Sequence, residues 1–111
     1  VTSSYTVDID AHDFFDDITN ETSGTGYSAG GATLASKVVT VDNTNDRAYF
    51  DAYDATWSTS TITSRVAVVY KSTGTPSTSA LICYIDFGSN ITSTAATFTV
   101  AFHANGILLY T

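Results

Sequence analysis

Three stretches near the C-terminus restrict the fold more than anything else in the chain. In "ALICYIDF" (80–87) the residues Leu81, Cys83, Ile85 and Phe87 fall at every second position. In "ATFTVAFH" (96–103) Phe98, Val100 and Phe102 do the same, with Thr97, Thr99 and His103 on the opposite parity. That period places one set of side chains on one face of a strand, whereas a helix would scatter them around its axis. "ILLYT" (107–111) reads as a further strand, and Asn105-Gly106 supplies the positive φ angles of a tight hairpin joining it to 96–103. Each of these apolar side chains contributes about 1.5–3 kcal/mol when fully buried, so the alternation decides which face turns inward.

The rest of the chain continues the pattern. "SKVVTV" (36–41) and "RAYFDAY" (47–53) flank the polar turn "DNTND" and read as a hairpin. "DATWSTST" (54–61) is extended or turning. "ITSRVAVVYKS" (62–72) is a strand with Val66, Val68 and Tyr70 on one face and Arg65, Ala67, Val69 and Lys71 on the other. "TSGTGYSAGG" (22–31) and "TGTPSTS" (73–79) are loops, the second holding the single proline, Pro76. The abundance of Ser and Thr suits short polar turns between strands. The expected fold is therefore all-β: one domain over residues 1–111, an antiparallel sandwich or barrel of about 6–8 strands. Val1–Val7 reads as the end of a strand in a chain without methionine, so a segment preceding Val1 is expected.

"DIDAHDFFDD" (8–17) concentrates five aspartates and His12 in ten positions. As a calcium loop starting at Asp8 it fails: His12 stands at the fifth position, Asp13 where glycine is required, and Thr19 at the closing glutamate. "DNTND" fails likewise, with Arg47 at the glycine position. A short acidic helix near residues 10–18 fits better. Asp10 would cap its N-terminus with Asp13 three residues on, and Phe14 and Ile18 would dock it on the sheet. No metal is expected there.

"GYSAG" (26–30) matches the G-x-S-x-G nucleophile elbow, with Ser28 as nucleophile and His12 or His103 as base. The elbow works only between a strand and a helix, and here loop residues precede it and a strand follows. A glycine loop is the expectation, with no catalytic residue and no cofactor. Cys83 is the only cysteine and reads as a small buried hydrophobe. Trp57 and the seven tyrosines could form a sugar-stacking platform or pack half-buried on the sheets.

The net charge is −7, and six of the eleven acids (Asp8, Asp10, Asp13, Asp16, Asp17, Glu21) lie in the first 23 residues, which hold no Lys or Arg. Phosphate binding needs a basic surface, so no nucleic-acid partner is expected. No apolar run reaches the length of a transmembrane helix, and no membrane partner is expected.

The order of "SSYTVDIDAHDFFDDITNETSGTGYSAGG", "DATWSTSTITSRVAVVYKSTGTPSTSALICYIDFGS" and "FTVAFHANGILLYT" resembles a family of small virion structural proteins of tailed bacteriophages, over nearly the whole chain. The resemblance implies a structural, non-enzymatic role: a decoration protein on the capsid exterior, bound to the major capsid protein or other virion proteins. It would self-associate, as a trimer if it follows the three-fold positions of a shell. The alternative is a glycan- or receptor-binding β-module of a phage tail or fibre. Candidate interface residues are Asp13, Asp16, Asp17, Tyr27 and Trp57, with the loops 22–31 and 72–79 as adaptable contact regions.

Overall fold

The computed structural model describes residues 1–111. The chain is all-β, built from five strands and two single turns of 3-10 helix. Its main body is a two-stranded antiparallel ribbon of β3 (Ala55–Tyr70) and β4 (Leu81–Val100). Strands β1 (Val38–Asp42), β2 (Arg47–Asp51) and β5 (Leu108–Tyr110) form a second, antiparallel sheet in the order β1-β2-β5. The sheets do not close into a barrel, because each keeps its own edges.

The strand count is lower than expected because segments read as separate strands run on. "DATWSTST" and "ITSRVAVVY" are one strand, and so are "ALICYIDF" and "ATFTV". The polar residues between them are absorbed as bulges. The register passes from Val66↔Asp86 to Ser64↔Ile91, setting Phe87–Asn90 of β4 against Arg65 alone. Gly88 takes φ +79° there, and its N–H donates to the Asp86 carboxylate at 2.8 Å. Further shifts fall at Trp57/Ser60 and Ser60/Ile62, beside the positive-φ residues Thr59 and Ala95. A bulge inserts unpaired residues and strengthens the local twist without ending the ladder, so turn-like composition did not mean a turn.

The hairpin expected across Asn105-Gly106 is corrected as well. The local turn exists, with the Gly106 N–H donating to the His103 carbonyl at 2.8 Å. It does not pair β4 with β5, however. β4 ends at Val100, and β5 crosses to β2 in the register Ala48↔Tyr110, Tyr49↔Leu109 and Phe50↔Leu108. Gly106 is required because a Cβ there would sit 2.6 Å from the Phe50 carbonyl oxygen. The hairpin of β1 and β2 across 43–46 forms as expected, closed by an Arg47–Asp42 ion pair of 2.9 Å.

The acidic stretch is held differently from the predicted helix. Only Phe15–Asp17 is helical, a single 3-10 turn. Asp10 does not cap it: the Asp17 carboxylate reaches back to accept the N–H groups of Asp13 and Phe14, both at 2.9 Å. Asp8 accepts the N–H groups of Asp10 and Ala11 at 3.1 and 3.2 Å in a separate turn. Docking falls to Phe15, whose ring lies 4.5 Å from that of Tyr70, while Phe14 is exposed. Backbone bonds from Phe15 N–H to the Ser79 carbonyl and from Leu81 N–H to the Asp13 carbonyl fasten the stretch to the loop end of the ribbon.

Burial follows the alternation in β4 but not in β3, where Val69 is buried and Val68 and Tyr70 are half-buried, with a register shift between Val69 and Tyr70. Phe98 and Val100 are buried with Ile62, and Ile85, Phe87, Trp57 and Phe102 pack around them. Cys83 is half-buried, and burial pushes its thiol pKa up. The core is also unusually rich in hydroxyls: Thr22, Ser60, Ser64, Ser79 and Ser93 are all buried, and every buried side-chain polar atom has a partner.

Candidate functional site

Two surfaces of this fold have the character of a site. The first is an open groove of about 650 Å³ between the ribbon and the loop over residues 21–37. Its lining is mostly apolar and includes Tyr27, Trp57, Tyr70, Phe87, Phe98 and Phe102. The loop lies flat on β3 because its glycines permit it. A Cβ on Gly26 would stand 2.9 Å from the Ser60 Cα, and one on Gly24 would collide with the Thr61 carbonyl oxygen. Both residues also have positive φ. The Thr61 N–H donates to the Thr25 carbonyl at 2.9 Å, and the Thr22 hydroxyl donates to Ser64 Oγ at 3.2 Å.

Glu21 organises the far end of that loop. One carboxylate oxygen accepts the Tyr27 hydroxyl at 2.8 Å and the Gly30 N–H at 2.6 Å. The Tyr70 hydroxyl donates to the Gly30 carbonyl at 2.8 Å. Burial, followed by the Glu21 carboxylate, holds the Tyr27 phenol well above the ordinary tyrosine range, so it stays a proton donor at all physiological pH. The Tyr27 and Trp57 rings stack with centroids 5.8 Å apart, and Trp57 meets Phe98 edge-on at 6.0 Å. One face of each stacked ring is thereby covered.

The structure brings Tyr27 and Trp57 together in this groove and keeps Asp13, Asp16 and Asp17 apart from them, on the acidic turn beside residues 79–81. The backbone N–H groups of Phe14 and Asp13 hold the Asp17 carboxyl below the usual carboxylate range. Residues 21–37 contain neither a strand nor a helix, so Ser28 lacks the flanking elements of a nucleophile elbow. His12 Nδ1 is engaged by the Tyr5 hydroxyl at 2.9 Å, and His103 Nδ1 accepts the Asn105 N–H at 3.0 Å. No group of three or more His, Cys, Asp or Glu side chains is placed to hold a metal ion. No helix is long and apolar enough to cross a membrane.

The second surface is one that reading the sequence missed. Directly opposed residues of a sheet share a face, which aligns two cross-strand rows: Val39–Phe50–Leu108 and Val41–Ala48–Tyr110. This face carries no charge. Val39 is 69% exposed, Val41 66%, Leu108 46% and Tyr110 79%. The charged residues of the sheet, Asp42, Arg47 and Asp51, sit in the alternate rows and therefore on the other face. Phe50 lies where the apolar face meets the groove. The signal was in the runs Val38-Val39 and Leu108-Leu109-Tyr110, which are apolar on both parities and so present apolar groups to both sides of a sheet.

No protein-family model, curated protein or solved structure matches this chain.

Proposed function

We propose that this chain is a structural virion protein of a tailed bacteriophage, a homo-oligomeric decoration protein on the capsid exterior without enzymatic activity. The observation that carries the reading is an unfinished core. The chain exposes 6911 Å² of surface, and its extents are 44 × 31 × 27 Å. A self-contained globular chain of 11.7 kDa is expected to expose about 5,900 Å². Twelve large apolar side chains are among what is exposed, as in a subunit that completes its burial inside an assembly.

Two further features support the same reading: the segment-by-segment resemblance to small phage virion proteins, and the net charge of −7 that suits an outer surface over a DNA-facing one. The major capsid protein is the proposed partner, contacted through the acidic turn at Asp13–Asp17 and the adjoining loop 72–79. A subunit that binds only the assembled shell shifts the equilibrium towards it. Particles stripped of the protein should lose resistance to heat and low salt, and regain it on adding the protein back. Stripped particles as robust as intact ones would refute the role. The alternative of a glycan-binding module gains little from the geometry, because Tyr27 and Trp57 spend one ring face on each other.

A further inference from the structure

We infer that the apolar face of the β1-β2-β5 sheet is covered by the same face of a second copy of this chain. The inference rests on the homo-oligomeric part of the reading above and assigns a surface to it. Area selects the occupant. The accessible surface exceeds that of a self-contained chain of this mass by about 1,000 Å², and a standard protein–protein interface takes about 800 Å² from each partner. Four of the twelve large apolar side chains that the chain leaves exposed, Val39, Val41, Leu108 and Tyr110, lie on this one face.

Chemistry agrees with a copy and disfavours a polar or charged partner. The rows Val39–Phe50–Leu108 and Val41–Ala48–Tyr110 offer no donor or acceptor except the Tyr110 hydroxyl at one corner. A charged surface laid on them would lose its hydration without gaining a partner. An identical apolar face costs nothing of the kind, and two such faces pack about 10 Å apart with their side chains interdigitated. Like charge between copies does not oppose the contact at close range. The sheet's own charges are on its other face, where Asp42 and Arg47 neutralise one another and only Asp51 remains. The acids of the first 23 residues belong to segments joined at the opposite end of the ribbon or along β3. An isologous, two-fold contact is the simplest arrangement for a self-complementary patch. In place of the acidic turn and the loops predicted from sequence, the sheet makes the contact between copies.

The test is the mass of the purified full chain by sedimentation across a concentration series, for the wild type, V41D/Y110D and V41T/Y110T. Both variants change only exposed side chains, and threonine keeps the β-branched shape of Val41 and a good strand preference at both positions. The wild type should sediment at about twice 11.7 kDa. An unpaired carboxylate carried into the contact should raise the dissociation constant by about two orders of magnitude or more, leaving V41D/Y110D monomeric. V41T/Y110T should dissociate more weakly but in the same direction, and its far-UV circular dichroism should match the wild type. A wild-type trimer that the substitutions abolish upholds the surface with a different axis. If the folded variants stay oligomeric, the assigned surface is wrong while self-association stands. If the wild type is monomeric throughout, self-association itself fails, and the virion role is then judged separately by labelling of the particles. Should the aspartate variant not fold, the threonine variant alone decides.

Discussion

Ser60→Ala should destabilise the chain far more than the loss of one small hydroxyl suggests. Ser60 is fully buried at the middle of the β3–β4 ribbon. Its hydroxyl donates to the Ala96 carbonyl at 3.0 Å, so the contact of 2.7 Å with Ser93 is made by the Ser93 hydroxyl donating to Ser60. Removing the Ser60 oxygen strands the Ser93 proton inside the protein. A buried donor left without an acceptor costs about 1–3 kcal/mol, against about 1 kcal/mol for a hydrogen bond deleted cleanly. We take about 2 kcal/mol, which for a chain of this length lowers the thermal midpoint by about 8 °C. In Ser60→Ala/Ser93→Ala the stranded proton is gone too, so the double variant should lose less than the sum of the single ones, even though the Ile62 N–H that Ser93 Oγ accepts at 3.4 Å also loses that partner. The coupling would be about 1–2 kcal/mol. Urea denaturation of the four proteins measures it. A loss below about 0.5 kcal/mol for Ser60→Ala, or strict additivity in the double variant, would refute the reasoning.

Three more expectations follow from particular positions. Gly26→Ala should cost about 2 kcal/mol or more, since it adds a backbone collision with Ser60 to an unfavourable φ of +79°; Gly74→Ala, with φ +86° and nothing within 4 Å, should cost only about 1 kcal/mol in the same urea assay. The carboxyls of Asp17, Asp42 and Asp86 are held below the usual carboxylate range, Asp17 by backbone N–H groups, Asp42 by Asn45 first and Asp86 by Arg65 first. The unfolded chain therefore binds protons first, so their contribution is complete above about pH 4 and fades as the pH falls through the lower folded values. Thermal midpoints should drop over that acid window, and Asp17→Asn should flatten the drop. Melts in calcium and in chelator should coincide, because the carboxylates of Asp8 and Asp17 are committed to backbone N–H groups; a large chelator-induced loss would overturn this.

What was legible in the sequence was periodic and local. Leu81, Cys83, Ile85 and Phe87 turn inward together, as do Phe98 and Val100, because side-chain direction has a period of two whatever the strand pairs with. The 43–46 turn was legible for the same reason: its ends are close in sequence and pair with each other. Non-local choices were not. Asn105-Gly106 makes its turn, but nothing between residues 96 and 111 says that β5 prefers Phe50 and its neighbours to β4. "GSNITSTAA" has the composition of a loop, and only its partner strand, continuous from Ala55 to Tyr70, keeps it extended. In the acidic stretch, helical spacing favoured Phe14 and Ile18; Ile18 is half-buried at the groove, but a single 3-10 turn leaves Phe14 exposed and presents Phe15 to Tyr70 instead. Tyr27 and Trp57 were legible only among the aromatics that either pack or stack on a ligand. Their stacking, and the bond of the Tyr27 hydroxyl to Glu21, were not, since both depend on how the glycine loop lies on β3.

The account stands or falls on where this chain sits. Antibody labelling or cryo-electron microscopy of intact particles measures that directly. The prediction is regular occupancy over the outer face of the head, with neighbouring copies meeting through the β1-β2-β5 sheet. Density or label confined to the tail tip, or absent from purified particles, would contradict it.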